Sequence, residues 1–192
     1  MDKQELLNLI TEISLVQSDD LREKCIAVWL EAIHGSTWYS VGKLEECPFA
    51  LGGLSDDCPE KLLDHCRRVI RLCYEMYDVL EGYINKIGPC NKEYLVAAAV
   101  IHDVTKLWEY RYVEDGVTIR DSTYGKLFYH PISGAYLGKK HGLPDEVVFA
   151  VINHSDLFSP GGAKRPHTPE SYLMMAIDGM VYEYARLYYG KN

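Results

Sequence analysis

Residues 94–101 read Tyr-Leu-Val-Ala-Ala-Ala-Val-Ile, and His102-Asp103 follow directly. With Asn91 ahead of it as an N-cap, this run predicts a helix that is apolar on every side. Such a helix has no face for water and must be enclosed by other elements. The chain is therefore expected to surround a central helix, with two polar side chains leaving its end inside the core. A buried carboxylate without a partner costs several kcal/mol. Asp103 thus calls for a compensating cation. A His-Asp dipeptide alone also has a plainer reading, a helix-terminal histidine beside a solvated aspartate.

The rest of the chain predicts an all-α protein. Amphipathic patterning covers residues 3–16, then 19–33 behind an N-cap at Ser18. Pro59 suits the first turn of a helix over 59–84. Further helices are expected over 129–141 with Gly142 as the C-cap, over 144–153, and over 169–189 from Pro169. Residues 108–121 are the exception. Tyr110, Tyr112 and Val113, then Val117 and Ile119, flank Glu114-Asp115-Gly116 and predict a small β-hairpin. Long connections at 34–57 and 155–167 are of the kind that carry function. A length of 192 residues predicts one domain, with 1–58 as N-terminal helices and loop and 59–189 as the helical core.

Composition excludes several classes. No apolar run approaches the ~18 residues of a membrane span. The start, Met1-Asp-Lys-Gln-Glu, has no basic stretch before an apolar core, so a cytoplasmic location is expected. The six cysteines form no CxxC pair and read as free thiols. A net charge of −8 speaks against a nucleic-acid surface but not against a small anionic substrate, because a metal can supply positive charge locally. Homo-oligomerisation stays open.

Four more residues join the dipeptide. His65 lies on the apolar stripe of its helix, with Leu62 and Val69. Asp178 shares a helix side with Met174, Met175, Val181, Tyr182 and Ala185, where an unpaired aspartate is unusual. His130 starts one predicted helix and His154 ends another. A lone histidine is more often a satisfied core residue than a ligand. Here the order His65, His102-Asp103, His130, His154, Asp178 has separations of 37, 28, 24 and 24 residues, so each group comes from its own helix or helix end. Nitrogen and carboxylate ligands suit iron, manganese, cobalt or zinc. Helical bundles build metal centres in this way.

That order resembles the HD-domain superfamily of metal-dependent phosphohydrolases, as does the run Ala97-Ala-Ala-Val-Ile-His-Asp-Val-Thr-Lys. From His102 through Asp178 the pattern is most similar to the HD domain attached to certain bacterial 3′-to-5′ exoribonucleases. The resemblance covers about residues 60–185 and implies an HD-type helical bundle. It implies that His65, His102, Asp103 and Asp178 hold one divalent metal, and that Asp103 bridges to a second held by His130 and His154. Lys106 matches a family lysine that contacts the substrate's anionic group, and Thr105 stands where the family has glycine. The implied chemistry is hydrolysis by metal-activated water, with Asp103 and Lys106 as the catalytic residues.

Lys164 and Arg165 follow His154 beside Gly161-Gly162 and could bind an anionic substrate, or equally form a solvated basic loop. His34, Trp38 and Tyr39 could form a lid, or a surface loop that packs its own aromatics. His141 and His167 are expected to face solvent. The leading expectation is a phosphohydrolase acting on a small phosphate ester or nucleotide. A mixed-valent di-iron oxygenase cleaving a C–C or C–P bond would use the same ligands. A metal hydrolase of a non-phosphate small molecule, such as a cyclic carbonyl compound, would too. A non-enzymatic scaffold is the remaining alternative.

Overall fold

The computed structural model describes residues 1–51, 53–55, 57–112, 118–120, 122–155 and 167–191. The apolar run forms α5 (Lys92–Ile101), and the Asn91 side chain accepts from the Tyr94 N–H at its start. Every α5 residue from Leu95 to Ile101 is buried. Four helices enclose it: α2 (Asp19–His34), α4 (Leu62–Ile87), α9 (Asp145–Ile152) and α10 (Pro169–Tyr189). The helix α8 (His130–Lys140) packs on α9 and α2. One apolar cluster runs from Leu6 to Val181.

The caps follow local chemistry. Ser18 caps α2, and Thr168 forms a reciprocal capping box with Ser171 at α10. Gly142, at φ 74°, ends α8 in the left-handed region that glycine enters freely. Gly138 brings α8 close to α5, since a Cβ there would lie 3.3 Å from Ile101 Cδ1.

The structure differs from the expected boundaries in a few places. The segment 3–16 is not one helix. It splits into α1 (Lys3–Leu9) and a 3₁₀ turn, Thr11–Leu15, at Ile10, whose backbone leaves helical geometry. The break buries Ile10 and Ile13 and turns Glu12 towards Arg67 and Arg71. The helix expected from Pro59 starts at Leu62, because Lys61 is extended, bridges Pro48, and is followed by a Leu62 N–H that donates to Cys47 O. The 34–57 connection contains the short helix α3 (Val41–Glu45). Trp38 is fully buried and donates to Tyr110 O at 2.8 Å, so it is a core residue and no lid.

A four-residue helix, α6 (Lys106–Glu109), leads into the expected hairpin, and α7 (Thr123–Leu127) follows it. Strands β1 (Tyr110–Tyr112) and β2 (Thr118–Arg120) pair antiparallel, with Arg111 opposite Ile119. Among the described residues no helix is long and apolar enough to cross a membrane, and all six cysteines are free.

Candidate metal centre

Each polar group of the sequence pattern reaches the same interior space. His65 comes from the first turns of α4, His102 and Asp103 from the end of α5, His130 from the start of α8, His154 from just after α9, and Asp178 from the middle of α10. His65, His102, Asp103, His130 and His154 are all buried. The Asp178 side chain retains 16% exposure and reaches the edge of the cluster.

The two oxygens of Asp103 divide the site. Oδ2 lies 3.3 Å from His65 Nε2 and 3.4 Å from His102 Nε2. Oδ1 lies 3.2 Å from His130 Nε2 and 3.5 Å from His154 Nε2. On the first side, Asp178 Oδ1 is 2.9 Å from His65 Nε2 and 3.8 Å from His102 Nε2, and the two Nε2 atoms are 3.2 Å apart. His65–His102–Asp178 and Asp103–His130–His154 thus form two groups, each with ligand atoms within 4.8 Å of one another.

The ring tautomers test whether a metal fits. His102 Nδ1 lies 2.7 Å from Ala99 O, and His154 Nδ1 lies 2.6 Å from Val151 O. A carbonyl only accepts, so both Nδ1 atoms carry hydrogen, and in the neutral rings both Nε2 atoms present lone pairs. His130 Nδ1 donates to the Glu109 carboxylate, at 3.2 and 3.3 Å from its two oxygens, which frees its Nε2 likewise. Three imidazole lone pairs therefore face carboxylate oxygens. That arrangement repels unless a cation lies between, and the nitrogen–oxygen set is one that first-row divalent metals take.

The charges shift as this geometry requires. Burial alone would raise the Asp103 pKa, but the adjoining Lys106 ammonium holds it well below the ordinary carboxylate range. Burial raises Asp178 too, yet chiefly its hydrogen bond and charge interaction with His65 bring it to about 2. Burial lowers His65, but its bonds to Asp103 and Asp178 outweigh this and raise it. Burial dominates at His130 and lowers it.

Lys106 Nζ lies 2.6 Å from Asp103 Oδ2 and 4.7 Å from the Phe49 ring centroid, within the cluster. Lys164 and Arg165 lie outside the described residues. His141 does not simply face solvent: its Nε2 is 2.9 Å from Glu31. His167 and Tyr39 are exposed, and His34 is exposed with its Nε2 3.0 Å from Met1 O.

Two neighbours of the site had no signal in the sequence. Glu109 falls at the edge of a hairpin, 21 residues before the histidine it holds. Phe49 comes from an irregular segment, yet its ring stacks on His65 with centroids 3.8 Å apart and an interplanar angle of 23°. The Thr105 hydroxyl, where glycine was the expected residue, donates to His130 O at 2.8 Å.

A helical bundle whose core holds four imidazoles and two carboxylates around one space is a metal-site protein by architecture. The chain belongs to the HD-domain family, whose model matches residues 62–182. It is similar to the dihydroneopterin 2′,3′-cyclic phosphate phosphodiesterase of Methanocaldococcus jannaschii, with 31% identity over 117 residues. That match covers 61% of this chain and 44% of the relative, so the chain spans less than half of the relative's length. No solved structure matches the chain significantly.

Proposed function

We propose that this protein is a metal-dependent phosphohydrolase of a small phosphodiester or other phosphate ester. His65, His102, Asp103 and Asp178 would hold one divalent ion, and Asp103 would bridge to a second held by His130 and His154. The observation that carries the reading is the set of imidazole lone pairs turned, by their Nδ1 bonds, onto the carboxylates of Asp103 and Asp178. When bound, the ions would supply an activated water and polarise the phosphoryl oxygens.

The chain's own groups do the rest. Asp103 stays ionised at the centre and keeps the two halves in register. Lys106 presents a buried ammonium beside it, where it steadies negative charge developing on the phosphoryl oxygens. In the net reaction the water oxygen bonds to phosphorus, the ester P–O bond breaks, and the leaving oxygen departs with a proton. Lys164 and Arg165, ten and eleven residues after His154, stay in the proposal as further anion-binding side chains.

The substrate is read as small. The side chains of Lys106, Glu109 and Asp178 are only 10%, 13% and 16% exposed, so the candidate catalytic groups lie inside the fold and not on an open surface. The relative's cyclic phosphate substrate and this chain's acidity point the same way, away from the RNA that the exoribonuclease likeness suggests. A single domain and a cytoplasmic setting complete the reading.

Metal analysis of the purified protein, joined to a panel of phosphomonoesters, phosphodiesters, 2′,3′-cyclic phosphates and nucleotides with Mn, Co, Ni and Fe, tests the proposal. Hydrolysis that disappears in Asp103→Ala is expected. Activity that survives this substitution removes the site assignment. Two irons with oxygen consumption, in place of hydrolysis, move the protein to the oxygenase reading.

A further inference from the structure

His130 is held at three points by two side chains that follow the His102-Asp103 pair. Its main-chain N–H donates to the Glu109 carboxylate. Its ring Nδ1–H donates to the same carboxylate. Its carbonyl accepts from Thr105 Oγ1, which is fully buried. The Glu109 backbone is itself closely approached by α7. A Cβ added to Gly125 would sit 2.9 Å from Glu109 Cα and 3.0 Å from Glu109 O, so glycine is what permits this approach.

The two halves of the centre differ in this support. A carboxylate bonded to Nδ1 fixes the ring's orientation and makes Nε2 a better donor to a metal. His130 has that partner. His65, in the other half, has no Nδ1 partner among the described residues and is held by stacking on Phe49. The first half compensates with four candidate ligands, His65, His102, Asp178 and Asp103 Oδ2. The second has three, Asp103 Oδ1, His130 and His154, and depends more on how well each is aimed.

We infer that Glu109, aided by Thr105, is a positioning residue that secures a second divalent ion in the Asp103–His130–His154 half. The inference rests on the two-ion reading above. It concerns this chain in particular, because a glycine at position 105 would have no hydroxyl to offer the His130 carbonyl.

The test titrates the chelator-stripped full chain with Mn²⁺ alone, against a chromophoric chelator, and reads stoichiometry and both affinities. Wild type is expected to bind two ions. Glu109→Gln is expected to bind the first with unchanged affinity and the second roughly 10- to 100-fold more weakly. Thr105→Val, close to isosteric, is expected to weaken the same ion by less. If Glu109→Gln binds both ions as wild type does, the inference is overturned. It is also overturned if both ions weaken together and the metal-free protein melts lower, since that is a general structural defect. A wild type that binds one ion overturns the two-ion reading beneath it, an outcome distinct from either variant result.

Discussion

Lys106 places its ammonium 2.6 Å from Asp103 Oδ2, on the same oxygen that faces His65 and His102. Both partners are buried. Removing Asp103 takes away a central ligand and leaves a buried ammonium uncompensated. Asp103→Ala is expected to abolish metal uptake and to lower the stability of the chelator-treated protein by about 3–5 kcal/mol. Adding Lys106→Met is expected to restore part of that loss. Urea melts of the single and double variants measure it, and a double variant no more stable than Asp103→Ala contradicts the pairing.

Phe49 acts on His65 through its flat face. Phe49→Leu keeps an apolar side chain but loses the stack at 3.8 Å and the ring beside Lys106. A stability loss of about 1 kcal/mol is expected. The larger effect is on metal binding, which should weaken several-fold, because among the described residues His65 has no Nδ1 bond to hold its plane. Chelator competition at fixed pH decides it, with wild-type affinity as the result that would count against the role.

The three alanines of α5, Ala97, Ala98 and Ala99, are fully buried beneath the neighbouring helices. Ala98→Leu adds volume to a packed interior and is expected to cost about 1–3 kcal/mol. It also strains the helix end that carries His102 and Asp103. The denaturation midpoint should fall with an unchanged slope. A midpoint equal to wild type would mean that the packing around α5 has slack.

Glu12 gives a pH dependence remote from the metal site. Burial would raise its pKa, but a main-chain bond and the Arg67 and Arg71 guanidiniums bring it below the ordinary value. The arginine side chains are 43% and 61% exposed, so solvent screens the pair. A carboxylate with a depressed folded pKa contributes stability above its unfolded pKa, about 4.3, and loses it as pH falls through the folded value. Glu12→Gln is expected to cost about 1–2 kcal/mol near pH 7. The difference from wild type should shrink steadily below about pH 4. Thermal melts of both proteins from pH 7 to pH 3 check the sign, and a difference that grows on acidification refutes it.

Much of the core was legible in the chain because its signals are local. An eight-residue apolar run after Asn91 can only be an enclosed helix, and α5 is one. Ser18, Gly142 and Pro169 marked helix ends through backbone chemistry that acts within a turn. The break at Ile10 and the delayed start of α4 were not legible. Both arise from contacts with distant segments, Glu12 with Arg67 and Arg71, and Lys61 with Pro48.

The same division runs through the site. The sequence by itself determined which residues were candidates, since His65, His102, Asp103, His130, His154 and Asp178 are polar groups at positions whose neighbours must be buried. It could not say which oxygen of Asp103 meets which histidine, nor which tautomer each ring adopts. Only the tertiary structure decided that, by bringing Ala99 O, Val151 O and the Glu109 carboxylate to the Nδ1 atoms. Hydrophobic patterning is a property of neighbours along the chain. A ring's lone pair is set by whatever acceptor meets its other nitrogen, and at His130 that acceptor lies 21 residues away.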